Sequence, residues 1–242
     1  MRTPPWGLAA AAKECIVHSN EFRSGELTEA KASQLLSLFA ESGDLQPERD
    51  RTDSFVLEIL TAIMHEQLPY QEPVFEELSR SHAWIVEGLA DVDTRVIDQT
   101  ALTDMLGGVS LRDTIGSTFF LQVGAYQNSG MFLHGWLDQP NFMPVVALYP
   151  KANIEHVASR LTINKEDFKS AVNQHSTGLR HLERADYNPL ISTPFVQLPG
   201  NPPIAPVPQL ILRTATPSGL YYAGMAKHGQ HFANDLGLLF EN

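Results

Sequence analysis

Cysteine and clustered basic residues are what this 242-residue sequence has least of. Cys15 is its only cysteine, so the chain can form no internal disulfide and no cysteine-based zinc or iron–sulfur site. Lys and Arg number 17 against 28 Asp and Glu, which gives a formal net charge of −11. Because clustered Lys and Arg bind phosphate backbones and anionic membranes, we expect no direct binding to nucleic acid or to a membrane.

Long hydrophobic runs and targeting signals are missing as well. No stretch approaches the roughly 20 apolar residues that a membrane-spanning helix needs. The N-terminus, MRTPPWG, lacks the basic region and apolar core of a signal peptide. We therefore expect a cytoplasmic protein.

Complete catalytic motifs are also absent from the sequence. It contains no G-x-S-x-G nucleophile elbow, no P-loop and no dinucleotide-binding glycine pattern. We therefore predict no cofactor, and the sequence leaves the question of enzyme activity open.

What the sequence does contain is helical periodicity. Residues 111–126 fit either a buried helix or a strand, and Ser110 with Asp113 favours a helix because the pair resembles a capping box. Other apolar residues recur at helical spacing after Trp6, Thr28, Ser54, Pro73, Gln99, Asn153 and Asn164. We predict a mainly α fold.

Prolines mark the C-terminal part of the chain. Two short apolar runs, 195–198 and 209–212, flank the turn signal Pro199-Gly200-Asn201-Pro202. They predict a small proline-rich β-hairpin, followed by an amphipathic helix from about Gln230. We accordingly divide the chain into a helical domain, 1–186, and a second segment, 187–242.

The apolar face of the predicted last helix continues to the end of the sequence. It has no glycine cap, no basic last turn and no breaking proline. We expect a protein partner or a further domain to cover this face. The candidate interface residues are Tyr221, Tyr222, Leu236, Leu239 and Phe240.

One spacing near the C-terminus resembles a metal site. His228, His231 and Asp235 could present three ligands on one helical face, but Gly229 and the lack of an intervening Glu favour an ordinary helix start. Glu241 follows an apolar run, as the first acidic residue of a nuclease site can, yet such a site needs further carboxylates to hold Mg²⁺. We therefore predict no metal.

A succession of short motifs runs through residues 187–242. It consists of Asn188-Pro189-Leu190, Pro194-Phe195, Pro206-Val207-Pro208, Leu210-Ile211-Leu212, Gly219-Leu220-Tyr221-Tyr222, Phe232, Leu236-Gly237 and Phe240-Glu241. This succession, about 55 residues long, resembles the junction in large bacterial proteins between a helical region and a C-terminal nuclease domain of the restriction-endonuclease type. Several such proteins are suspected of defence against phage or mobile DNA. The resemblance implies that Phe240 and Glu241 lie on the first helix of the nuclease domain, whose remaining core would follow residue 242.

Together these observations favour a non-catalytic helical interaction or regulatory module that docks on a nuclease-like domain or another subunit. One alternative is a metal-dependent hydrolase or nuclease whose site another chain completes, with His228, His231, Asp235 and Glu241 as ligands. Another is a domain that binds a small molecule in the aromatic-rich region 119–149.

Overall fold

The computed structural model describes residues 5–19, 28–42, 73–176 and 187–241. Within these ranges the fold is mainly α, as predicted, and no helix is long and apolar enough to cross a membrane. The helix predicted after Ser54 lies outside the described residues. The α-helices are α1 (Pro5–His18), α2 (Glu29–Ser42), α3 (Val74–Ser81), α4 (Gln99–Met105), α5 (Leu111–Gln127), α6 (Met143–Leu148), α7 (Lys151–Arg160), α8 (Lys165–Gln174), α9 (Gln209–Arg213), α10 (Pro217–His228) and α11 (Gln230–Glu241).

Shorter helical turns link several of these helices. A π-helix continues directly from α3, so the helical phase changes at that point. The π-helix is His82–Glu87, and the 3-10 helices are Gly88–Asp91, His134–Asp138, Pro140–Phe142 and Pro189–Ile191.

Contacts divide the chain into two units that alternate along the sequence. The first unit comprises residues 1–71 and 165–190, and the second comprises residues 72–164 and 191–242. The C-terminal segment therefore shares a unit with much of the region that we assigned to the N-terminal domain. In the first unit, α1 packs against α2 and α8, and Asn188 Nδ2 donates to the carbonyl oxygen of Ala9 at 3.0 Å.

The β structure is a parallel pair in the second unit. Strand β1 (Thr162–Asn164) pairs with β2 (Phe195–Gln197), and Ile163 lies opposite Val196. The chain does reverse after β2, because Val196 and Ile204 exchange two backbone hydrogen bonds of 2.8 and 3.0 Å. The predicted turn signal therefore does produce a reversal.

The prediction of a second strand in the hairpin was wrong, since residues 209–212 lie in helix α9. Pro208, just before the helix, has φ of −56° and ψ of −27°, which suits a helix start. Leu210, Ile211 and Leu212 are all fully buried. A short, uniformly apolar run fits a buried helix as well as a buried strand, so periodicity could not separate the two.

Helix α5 is central to the second unit. It begins as predicted, with the Asp113 N–H donating to Ser110 Oγ at 3.1 Å. Gly116 lies under the ring of Tyr149 and Gly124 under the ring of Trp136, and a Cβ at either glycine would overlap the ring. One core cluster includes Phe120, Leu121, Ile154, Val157, Phe195 and Ile211, and another includes Ile85, Ile97, Leu102, Leu220, Phe232 and Leu239.

A buried ion pair joins α3 to α9. Arg213 Nη1 donates to Glu77 Oε1 at 2.8 Å, and each residue is only 7% exposed. Ser218 Oγ donates to the other carboxylate oxygen of Glu77 at 3.3 Å. Nearby, Ser81 Oγ donates to the carbonyl oxygen of Ala215 at 3.1 Å. Charge and hydrogen bonds thus fix α3 against a segment distant in sequence.

We expect Glu77→Ala to lower the free energy of unfolding by about 3–5 kcal/mol, because it removes the carboxylate that balances the buried Arg213 charge. The matched control is Glu76→Ala, since Glu76 pairs with Arg80 at the surface at 4.0 Å. That change should cost only about 0–1 kcal/mol. Urea unfolding measures both variants, and equal losses would contradict a structural role for the buried pair.

Gly124→Ala places a methyl group where the Trp136 ring lies, so we expect a loss of about 1–3 kcal/mol from overpacking. Gly237→Ala in α11 is the control, because nothing lies within 4 Å of its new Cβ. There alanine should add about 0.5–1 kcal/mol by reducing the entropy lost on helix formation. Thermal unfolding should move the two melting temperatures in opposite directions, and a stabilised Gly124→Ala protein would refute the close packing.

Candidate functional site

Helices α10 and α11 form a hairpin that turns at Gly229, whose φ of 59° glycine adopts without steric cost. Gly224 on α10 faces Phe232 on α11, and a Cβ at Gly224 would overlap the ring. Farther from the turn, Leu220 and Leu239 belong to the same buried cluster. The helices therefore run antiparallel, and the start of α10 lies beside the end of α11.

Asp235, a candidate metal ligand, is buried and binds backbone N–H groups. Val96 and Ile97 donate to Asp235 Oδ2 at 2.6 and 2.9 Å. Burial alone would raise the pKa of Asp235, but hydrogen bonds from the backbone and the charge of the nearby His231 bring that pKa below its usual value. The ionised carboxylate therefore ties α11 to the segment before α4.

The other candidate ligands have separate surroundings. His228 stacks on Phe232 with ring centroids 6.4 Å apart, and its buried Nε2 has no hydrogen-bond partner in the part of the chain that the structure describes. His231 is exposed, with Nδ1 3.3 Å from Arg95 Nη1. Glu241 is exposed at the end of α11. Among the described residues, no group of three or more His, Cys, Asp or Glu side chains is placed to hold a metal ion.

The five candidate interface residues differ in exposure. Leu239 is buried and Leu236 packs against the same cluster, so both contribute to the core of this chain. Tyr221, Tyr222 and Phe240 are exposed, and the rings of the two tyrosines contact each other edge to face at 5.9 Å. Tyr221 and Phe240 therefore present ring surface that another molecule can contact.

Leu238 is also exposed, although its sequence context did not single it out. The helical phase of α11 could have revealed this, because Phe232, Leu236 and Leu239 recur at the spacing of an inward stripe and Leu238 falls outside it. We use the name hairpin end for Tyr221, Tyr222, Leu238 and Phe240.

The ring of Trp84 in the π-helix contacts the ring of Phe240. The ring centroids lie 5.1 Å apart at an interplanar angle of 90°, an edge-to-face geometry that aromatic pairs favour. Trp84 is half-buried against the core beside the hairpin. No local signal in the sequence connects the two residues, since only the tertiary fold brings them together.

Comparisons of this chain with protein-family models, curated proteins and solved structures found no match. The local geometry must therefore indicate what the hairpin end can do. It presents aromatic and aliphatic side chains at the surface, and aromatic residues are enriched at the centres of protein interfaces.

Asp235→Asn should lower the free energy of unfolding by about 1.5–3 kcal/mol near pH 7, because it weakens hydrogen bonds to a charged acceptor. The folded-state pKa of Asp235 lies below its unfolded value, so its contribution is complete above about pH 4 and is lost as the pH falls through the folded-state pKa. The native and variant proteins should thus converge in stability below about pH 4.

Urea unfolding between pH 3 and pH 7 checks this prediction. Asp104→Asn, at an exposed position in α4, makes the same chemical change and should alter stability little. A stability gap for Asp235→Asn that stays constant across this pH range would show that the carboxylate charge is not what anchors the segment.

Proposed function

We propose that this chain is a non-catalytic helical module that binds a partner protein through the hairpin end. Phe240 carries this proposal, because its side chain remains 66% exposed although its ring contacts Trp84. A large apolar side chain that is held in one orientation at the surface is ready to enter a pocket on a partner.

The energetics of association favour such an anchor. Burying an aromatic side chain removes about 150–250 Å² of surface from water. A ring already oriented by a neighbour loses less conformational freedom on binding than a flexible side chain does. The ion pair between Glu77 and Arg213 and the bonds from Asp235 to the 96–97 backbone support this orientation, because they fix the elements that carry Trp84 and Phe240.

The kind of partner is suggested by charge and by the resemblance of residues 187–242. A net charge of −11 favours a protein over nucleic acid or an anionic membrane. The resemblance supports a nuclease-like domain of a bacterial phage-defence protein as the partner, in the cytoplasm. The metal-dependent alternative is not favoured by the hairpin, since Asp235 already serves as an acceptor for the backbone.

The candidate partner for a test is the product of the reading frame directly downstream of the gene for this chain, co-expressed with it. We expect Phe240→Ser to weaken the association of the two proteins by more than about tenfold. Loss of the ring removes the central apolar contact. Leu148→Ser is the control, because Leu148 is 74% exposed but lies on α6, away from the hairpin end in sequence and fold. Light scattering and calorimetric titration of the purified proteins measure the effect.

Two results would contradict the proposal. One is a native chain that stays monomeric and forms no complex with the co-expressed product. The other is a complex that Phe240→Ser and Leu148→Ser weaken equally, since the binding would then not depend specifically on Phe240. Circular dichroism of both variants checks that a lost complex does not reflect a lost fold.

A further inference from the structure

Arg160, the last residue of α7, carries a charge without a visible counter-ion. Its Nε and Nη2 atoms are both buried, and neither has a hydrogen-bond partner among the residues that the structure describes. Burial lowers the pKa of Arg160, and no described acidic group counters this effect. Arginine nevertheless keeps its proton at ordinary pH, so this half-buried side chain holds a positive charge that no described acidic group balances.

The two unpartnered atoms form one edge of the guanidinium group. Their N–H bonds lie in one plane and point in nearly the same direction, which is the geometry that binds two oxygen atoms of a carboxylate or a phosphate at once. A lysine ammonium has no equivalent edge. The unmet hydrogen-bonding capacity of Arg160 therefore matches a particular class of acceptor.

Two residues lie close to the Arg160 side chain. His156 lies one helical turn before Arg160 on α7, and the connection between α4 and α5 passes both side chains at Gly107. A Cβ at Gly107 would lie 2.6 Å from His156 Nε2 and 3.6 Å from Arg160 Cδ. Gly107 has φ of 76°, so glycine permits both this backbone conformation and this close approach.

Polar groups of the connection between α4 and α5, and of the start of α5, form hydrogen bonds with groups other than Arg160. The N–H groups of Gly107 and Gly108 donate to the carbonyl oxygens of Asp104 and Thr103 at 3.2 and 2.8 Å. The Asp113 carboxylate, near the start of α5, accepts from Asn153 Nδ2 at 3.3 Å. An N–H group cannot accept a hydrogen bond from Arg160, and the Asp113 carboxylate forms none with its Nε or Nη2, so an acceptor for this edge can come from outside the chain.

We propose that Arg160 and His156 form a binding site for a small oxyanion, with the Nε and Nη2 edge of Arg160 holding two oxygen atoms of a carboxylate or phosphate group. His156 Nε2 donates a further hydrogen bond. The arginine edge is closed to solvent without the ligand, so the His156 ring rotates away from Gly107 to admit it. The His156 side chain is exposed and forms no hydrogen bond within the described ranges, so rotating the ring breaks none.

Titration of the native chain with inorganic phosphate or with acetate, at an ionic strength held constant with chloride, tests the site. The nuclear magnetic resonance signals of the Arg160 Nε–H and the His156 ring should shift together and saturate. Tighter binding of phosphate would identify phosphate groups as the ligand class, and tighter binding of acetate would identify carboxylates. If neither anion shifts both signals, the proposal is overturned.

Variants distinguish specific binding of the anion at Arg160 from nonspecific attraction of anions to positively charged side chains. Arg160→Gln should abolish saturable binding, and Arg160→Lys should weaken it by about tenfold, because the charge remains but the paired donors are lost. Arg80→Gln removes the same unit of charge from α3 and should leave the affinity unchanged. Equal affinities for the native and Arg160→Gln proteins would refute the proposal. If Arg160→Gln fails to fold, the titrations of the native and Arg160→Lys proteins still test whether the anion binds at Arg160.

Discussion

The close approach of neighbouring segments to helix α5 is the constraint on which the second unit depends. Glycine at 116 and 124 allows two aromatic rings to lie directly on the helix backbone. A different part of the helix meets α9, where the Leu212 N–H donates to Gln122 Oε1 at 3.3 Å. Such close approaches need small residues where the neighbours come nearest. The sequence of α5 looked ambiguous between helix and strand because apolar residues also lie on its exposed face, among them Phe119 and Val123.

Polar contacts between distant segments complement this packing. The Glu77–Arg213 pair and the hydrogen bonds to Asp235 each fix an element in a defined place, because charged groups tolerate burial only with well-placed partners. Hydrophobic clusters alone permit small shifts between helices at low cost. Buried charges restrict such shifts, and these contacts involve α3, which leads into the π-helix of Trp84, and α11, which carries Phe240.

Local features of the fold were predictable, whereas features that depend on long-range contacts were not. The cap at Ser110 and the helices around it follow from neighbouring residues. The run 209–212 could not be assigned from its own residues, because a short buried apolar run fits a helix as well as a strand. At the candidate site, Phe240 stays a predicted interface residue, and its contact with Trp84 could not be predicted because only the tertiary fold brings the two rings together. The isolation of the Arg160 charge was likewise invisible in the sequence.

The alternation of the two units along the chain also sets the order in which the molecule can be completed during synthesis. The first unit needs residues 165–190, so it stays unfinished while most of the second unit leaves the ribosome. The pairing of β1 with β2 must then wait until Phe195 has emerged, and the Asp235 contacts must wait longer still. The first unit has all its residues once residue 190 has emerged, whereas the second unit still lacks residues 191–242 at that point. Nascent chains therefore expose apolar surface for most of translation, which makes chaperone binding an advantage for this topology.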